Sequence, residues 1–467
     1  AGLLCGGVVT ALDNGAALTP PLGWLSWQRY RCAIDCNDAT SPDCFNEKLI
    51  RDTADEMVAG GYLAAGYNYL NLDDCWQAPS RDAQGHLVAD PKRFPSGIKA
   101  LAAYVHSKGL KFGLYTAMGN GTCASHTYAT DNLGLSCDFD TIPHCDVAKR
   151  DIDDFVSWDI DHLKVDGCFE FDRVMQNNSY SIVGQYLLEA VAKRGMGPVV
   201  YHPSNLGFRY PRQFHELASI GNQWRWFNDV QDSWESVHGI IEEIGAGQPE
   251  CIPGPLPDHC VGFDGGGGAN TACAAYCVER DSFLAVSQPG AWHDPDMLLT
   301  GNTPCSDKAK AAGMHCNNIT HDEEKAQLAI WAMASAPMLM SNDLKAVPAD
   351  SKALLLNSEL LAINQDKLGR MCFRYANDST SGLQMWRKQL AGGDVAVAVL
   401  NVGDATLSGI AVDLRQVGFA PDTHVHVRDV LARTSAGWVT GEYPITAGVP
   451  SHGVVLLRLS FVPKYTA

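Results

Sequence analysis

His162–Leu163–Lys164–Val165–Asp166–Gly167–Cys168 is the stretch around which the chain is organised. Side chains of a β-strand alternate between faces, so as a strand this run sets Lys164 and Asp166 on one side and Leu163 and Val165 on the other. Burying a lysine and an aspartate together inside a sheet is costly unless they pair or meet a polar ligand. Two readings stay open for these residues alone. They are either a buried ion pair that fixes the strand, or a nucleophilic carboxylate, Asp166, beside a lysine that grips a polar substrate.

Outward from this strand, short apolar runs alternate with helical patterns up to about residue 350, the texture of a parallel βα fold. The strand candidates are Gly23–Trp27, Tyr69–Asp74, Lys111–Tyr115, His162–Asp166, Pro198–Tyr201, Trp224–Phe227, Gly290–Trp292 and Pro337–Met340. Between them lie amphipathic segments such as Ile98, Leu101, Ala102 and Val105 before a Gly109 stop, and Ile152, Phe155 and Val156. Thr320 followed by Glu323 predicts a capping box that opens a further helix. Eight such units fit a (β/α)8 TIM barrel better than an open doubly wound sheet. After Asn364–Gln365–Asp366 the pattern becomes short β-rich runs between turns, as in Val395–Leu400, Thr423–Val427 and Gly453–Leu459. This predicts a C-terminal antiparallel β-sandwich. The expected division is a signal-peptide remnant over 1–11, a catalytic barrel over 12–368 and the sandwich over 369–467.

The formal net charge of −18 over 467 residues argues against a nucleic-acid partner and suits a neutral ligand. Sixteen cysteines, several at short spacings, point to an oxidising compartment. Asn-x-Ser/Thr sequons at Asn120, Asn177, Asn318 and Asn377 agree with passage through the secretory pathway. No apolar run approaches the roughly 18 residues of a membrane span.

A barrel of this kind carries its site at the C-terminal strand ends. Asp73 and Asp74 end the second strand candidate, Tyr115 the third, and Lys164 and Asp166 the fourth. Arg225 and Asp229 lie at or just after the sixth, Asp296 follows the seventh, and Trp27 ends the first. An aromatic plate among carboxylates and one arginine suits a pyranose, which has apolar C–H faces and a rim of hydroxyls. Paired carboxylates then point to glycoside hydrolysis. A metal hydrolase built on His293, Asp294 and Asp296 with Asp73 or Asp74 is the rival enzyme class, but three of those residues crowd one loop. A lectin-like binding module is the third reading. No metal and no cofactor is expected.

The ordered motifs Leu12–Asp13–Asn14–Gly15, Gly23–Trp24–Leu25–Ser26–Trp27, Leu72–Asp73–Asp74–Cys75–Trp76, Lys164–Val165–Asp166–Gly167–Cys168, Trp224–Arg225, Asp232–Ser233–Trp234, Trp292–His293–Asp294–Pro295–Asp296–Met297 and Ile363–Asn364–Gln365–Asp366 carry a resemblance. They resemble the clan D glycoside hydrolase family of lysosomal-type α-galactosidases and α-N-acetylgalactosaminidases. The resemblance implies a retaining exo-glycosidase with Asp166 as nucleophile and Asp229 as acid/base. It further implies ring-hydroxyl contacts from Asp73, Asp74, Lys164, Arg225 and Asp296, with Trp27 and Tyr115 lining the pocket. Disulfides Cys32–Cys75, Cys36–Cys44 and Cys123–Cys168 follow by the same carry-over. Cys137/Cys145 and Cys305/Cys316 read as local pairs within insertions, and Cys251, Cys260, Cys273 and Cys277 as disulfide cysteines rather than zinc ligands.

In that family the loop after the fifth strand separates two activities. The galactosidases resemble one another in having Glu and Leu there, and the N-acetylgalactosaminidases in having Ser and Ala. In the window Tyr201–Phe208 an ungapped match sets Ser204 and Gly207 on those positions, which favours N-acetylgalactosamine, with galactose as the alternative. The same register turns both ends of one family disulfide into Pro203 and Gly221. The implied partners are glycans ending in α-linked N-acetylgalactosamine or galactose, the implied location lysosomal or secreted, and a homodimer is entertained as the assembly.

Overall fold

The computed structural model describes residues 11–34, 36, 44–119, 121–124, 135, 146–167, 173–204, 214–225, 227–246, 286–305, 310, 314, 316 and 318–461. Eight short parallel strands line a barrel. They are β1 Leu22–Leu25, β2 Tyr69–Asn71, β3 Lys111–Ala117, β4 His162–Asp166, β5 Val200–Pro203, β6 Gln223–Arg225, β7 Trp292–Asp294 and β8 Met338–Met340. One hydrogen-bonded ladder runs β5-β4-β3-β2-β1-β8 and a second joins β6 to β7. Single bonds link the two. Asn222 N donates to Tyr201 O at 2.8 Å and Arg225 N to Ser204 O at 3.1 Å, while Leu298 N, just after β7, donates to Leu339 O at 2.8 Å. These contacts complete a TIM barrel.

Each of the eight sequence windows overlaps a strand: β4 matches its window, β7 shares only Trp292 with its own, and the others have shifted edges. β5 begins at Val200 rather than Pro198, since proline has no N–H to give to a ladder. Trp27 does not end β1. The chain leaves that strand at Ser26, and Trp27 opens a short helix, Trp27–Tyr30. The helix Gly97–Ser107 buries Ile98, Leu101, Ala102 and Val105, the face its spacing predicts. Helix His321–Met333 opens on the predicted capping box: Glu323 N donates to Thr320 Oγ1 at 3.3 Å and Thr320 N to Glu323 Oε2 at 2.6 Å.

The C-terminal strands are β9 Phe373–Asp378, β10 Leu383–Gln389, β11 Val395–Asn401, β12 Ile410–Asp413, β13 Val425–Asp429, β14 Thr434–Val439, β15 Glu442–Ile445 and β16 Val454–Phe461. Six of them pair antiparallel in the order β14-β13-β16-β11-β10-β9, and β12 pairs with β15. Strand β11 is apolar from Val395 to Leu400 because it is buried on both faces. Val395, Val397 and Val399 enter the sandwich core, while Ala396, Ala398 and Leu400 join the core shared with the barrel helices. Lys388, Arg374 and Arg428 tie the two units together, the last two through Glu242 and Glu359. Lys388 Nζ, on β10, donates to Ala332 O at 2.9 Å, Ile363 O at 2.6 Å and Ser335 Oγ at 2.7 Å, filling acceptors at the ends of two barrel helices. Among the described residues no helix is long and apolar enough to cross a membrane.

Disulfides Cys32–Cys75, Cys36–Cys44 and Cys305–Cys316 are formed. Cys123 is disulfide-bonded, but its expected partner Cys168 lies outside the described residues, as do Cys5, Cys137, Cys145 and the Cys251–Cys277 group. Cys372 is a buried thiol, pushed up to about 12 by its burial.

Candidate active site

The strand ends converge on a cavity of about 300 Å³ lined by Trp27, Asp73, Tyr115, Cys123, Lys164, Asp166, Ser204, Arg225, Asn228 and Asp229. Its floor is the β2–β4 ladder. Tyr115 and Lys164 are register partners across β3 and β4, so the ammonium lies 5.3 Å from the phenol ring centroid. Lys164 does pair, yet with Asp73 rather than Asp166, its Nζ lying 2.7 Å from Asp73 Oδ2. Burial works against the Lys164 charge, but Asp73, Asp166 and Asp229 together outweigh it and push its pKa up.

Asp166 accepts hydrogen bonds from Tyr115 OH at 3.1 Å and Gly167 N at 3.0 Å. Its pKa is raised: burial disfavours the charge and Asp229 and Asp73 repel it, against the pull of Lys164. Across the cavity Asp229 accepts from Trp27 Nε1 at 3.3 Å and Arg225 Nη1 at 3.2 Å, with Arg31 Nη1 at 3.7 Å. Partial burial raises its pKa, but the cations of Arg225, Lys164 and Arg31 dominate and hold it at about 2. The two carboxylates are thus pushed in opposite directions. The split runs opposite to the roles that the resemblance implies, since the group matched to the nucleophile is raised and the group matched to the acid/base is lowered.

Behind the wall, Arg225 Nη2 lies 3.1 Å from Asp296 Oδ2, which also accepts from Val230 N at 2.7 Å. Asp296 therefore braces Arg225 and the Asp229 loop. Asp74 accepts from Ala124 N at 2.9 Å and from Cys75 N. Backbone strain gathers here: Arg31, Cys75 and Asp296 have φ of 45°, 71° and 81°. The Cys32–Cys75 disulfide and the Trp331 Nε1 bond to Asp296 O, at 2.8 Å, hold two of these turns.

Ser204 lines the cavity with its backbone held on both sides, its N donating to Val165 O at 2.8 Å and its O accepting from Arg225 N. Gly207 lies outside the described residues. His293 packs edge-on against Trp224 with centroids 5.2 Å apart, and Asp294 accepts from Gln223 Nε2 at 2.8 Å. Sequence reasoning missed Arg31 and Asn228. Arg31 had a signal, four residues after Trp27 in a helical turn, and its guanidinium now lies 5.0 Å from the Trp27 ring centroid. Nothing in the sequence marked Asn228.

A TIM barrel with a β-sandwich behind it and a carboxylate-lined, tryptophan-walled pocket at its strand ends defines a glycoside hydrolase. The family model for alpha galactosidase A matches residues 19–262 and 270–366, and that for the alpha galactosidase C-terminal beta sandwich domain matches 380–459. The chain belongs to this family, glycoside hydrolase family 27, whose curated relatives are α-galactosidases and α-N-acetylgalactosaminidases. Human alpha-galactosidase A is 34% identical over 460 residues, 96% of this chain and 90% of the relative. Human alpha-N-acetylgalactosaminidase is 33% identical over 457 residues, 97% and 94% respectively. Among solved structures, alpha-galactosidase I from Mortierella vinacea superposes with a TM-score of 0.71 at 26% identity, covering 97% of this chain and all of that one.

Proposed function

We propose that the protein is a retaining exo-glycosidase that removes terminal α-linked N-acetylgalactosamine, working in a lysosomal or secreted setting. Convergence of Asp166, Asp229, Lys164, Asp73 and Arg225 on one cavity beside Trp27 carries the reading. Asp166 attacks the anomeric carbon as the bond to the leaving oxygen breaks, and Asp229 gives that oxygen its proton. Water then adds to the same carbon from the vacated side, losing a proton to Asp229 as the Asp166 ester bond breaks, so the anomeric configuration is kept. In the open cleft the Asp229 proton is scarce, so the first step favours acid pH.

The preference for N-acetylgalactosamine over galactose rests on Ser204, a short side chain on the cavity wall. It draws support from Pro203 and Gly221, the positions at which the ungapped register loses a family disulfide. A Cβ on Gly221 would collide with the Pro203 ring, so the two positions are in contact, as the two ends of a disulfide must be. Turnover of the nitrophenyl α-N-acetylgalactosaminide and α-galactoside tests this, and a wide margin for the galactoside would overturn the sugar assignment. Asp166→Asn is expected to lower kcat at least about 10³-fold, since an amide is a poor nucleophile and leaves the oxyanion unmade. Full turnover in that variant would remove the reaction from this site.

A further inference from the structure

The Asp229 side chain is 47% exposed, so packing alone does not hold it and polar ties from its neighbours must. One set of ties starts at Asp294, a buried carboxylate that the proposed reaction leaves without a task. Asp294 is the register partner of Arg225 across β6 and β7, so the two side chains lie on the same side of the sheet. Its Oδ2 accepts from Gln223 Nε2 at 2.8 Å and lies 3.3 Å from His202 Nε2. Its Oδ1 accepts from Asp296 N at 2.8 Å, and Pro295 between them has no N–H to compete. Asp296 stands at φ 81°, a left-handed value that an aspartate keeps only where its surroundings impose it. From that turn Asp296 Oδ2 reaches Arg225 Nη2 at 3.1 Å and Val230 N at 2.7 Å, and Val230 directly follows Asp229. Arg225 Nη1 in turn donates to Asp229 Oδ1 at 3.2 Å.

We propose that Asp294 is a positioning residue for Asp229, holding the Asp296 turn from which Arg225 and Val230 N are gripped. The proposal rests on the acid/base role given to Asp229. Two routes lead from Asp294 to that carboxylate, one through the backbone at Val230 and one through the guanidinium of Arg225, and both pass through Asp296. The acceptor oxygen of Asp294 carries the role rather than its charge. Burial disfavours that charge and raises the Asp294 pKa against the pull of Arg225, Gln223, Asp296 N and Lys164. The turn at Asp296 needs an acceptor at this place whatever its charge.

The test measures kcat, KM and the pH dependence of kcat/KM on a nitrophenyl glycoside for the wild type, Asp294→Asn, Asp294→Leu and Gln223→Leu. Asparagine keeps an oxygen for Asp296 N, and Gln223 Oε1, which has no partner among the described residues, can turn to accept from the new amide. Its kcat is expected to stay within about threefold of the wild type. Leucine removes the acceptor, so kcat is expected to fall at least about tenfold with KM changed less than about twofold. The alkaline limb is expected to move up by about half a unit or more, because an Asp229 held less closely to Arg225 keeps its proton to higher pH. Gln223→Leu removes a donor that orients the Asp294 carboxylate, and is expected to move kcat and the limb the same way to a smaller extent; it decides the matter if Asp294→Leu does not fold. Wild-type kcat and an unmoved limb in the folded leucine variant, or an asparagine variant as impaired as the leucine one, would overturn the positioning role while leaving the glycosidase reading intact. If the wild type hydrolyses neither nitrophenyl α-glycoside, the glycosidase reading fails and the positioning role falls with it.

Discussion

Lys164 Nζ lies 2.7 Å from Asp73 Oδ2, although the sequence spacing sets Lys164 beside Asp166 on the same strand face. The lysine bridges β4 to the end of β2, and Asp166 keeps oxygens directed at the cavity with Tyr115 OH and Gly167 N as its donors. In the proposed reaction, a nucleophile fully engaged in an ion pair would have to break it to attack. Here the lysine's field helps to keep Asp166 ionised without capping it.

Lys164→Met leaves Asp73 buried without its cation, and breaking a buried pair costs about 3–5 kcal/mol. Chemical denaturation is expected to show that loss, and the double variant Lys164→Met/Asp73→Asn to recover part of it. Loss of the cation also raises the Asp166 pKa further, so the acid limb of kcat/KM moves to higher pH. An unmoved acid limb would mean that Lys164 acts only on the fold.

Arg31 is one of the cations around Asp229, 3.7 Å from its Oδ2. Removing it in Arg31→Gln disfavours the Asp229 carboxylate, raises its pKa from about 2, and lets the acid form persist to higher pH. The alkaline limb of the pH–rate profile is expected to shift upward by about half a unit to one unit. A shift in the other direction would contradict the acid/base role.

Specificity is carried by position 204 in the proposed reaction. Ser204→Glu fills the space meant for an acetamide and supplies a carboxylate to a 2-hydroxyl, so the ratio of galactoside to N-acetylgalactosaminide turnover is expected to rise at least about tenfold. Measuring both nitrophenyl glycosides on the same preparation checks it. A ratio that stays constant would place sugar selection elsewhere.

Asp74 sets a pH dependence of stability. Burial, helped by the nearby Asp73 charge, raises its pKa from 3.8 to about 6 against the donors that it accepts from. Between those values the folded protein holds a proton that the unfolded chain has released. This contribution is therefore full below about 4 and is lost as pH rises through about 6. Asp74→Asn is expected to flatten the slope of unfolding free energy against pH in that window, and an unchanged slope in denaturant titrations would refute it.

Sequence alone determined the barrel, the sandwich behind it and the strand ends at which reactive groups gather, because period-two alternation, helical spacing and capping residues are local signals. Thr320 and Glu323 meet as a cap because their spacing dictates it, and Val395–Leu400 had to be a strand. Tertiary structure alone decided the partners of the clustered aspartates. Asp73 and Asp74 are neighbours in the chain, yet one pairs with Lys164 and the other accepts from Ala124 N; Asp296 pairs with Arg225. The partner of Lys164 and the grip of Arg31 on Asp229 also depend on how separate strands and loops are brought together. The side a carboxylate takes is set by donors from other parts of the chain, and no local pattern contains them.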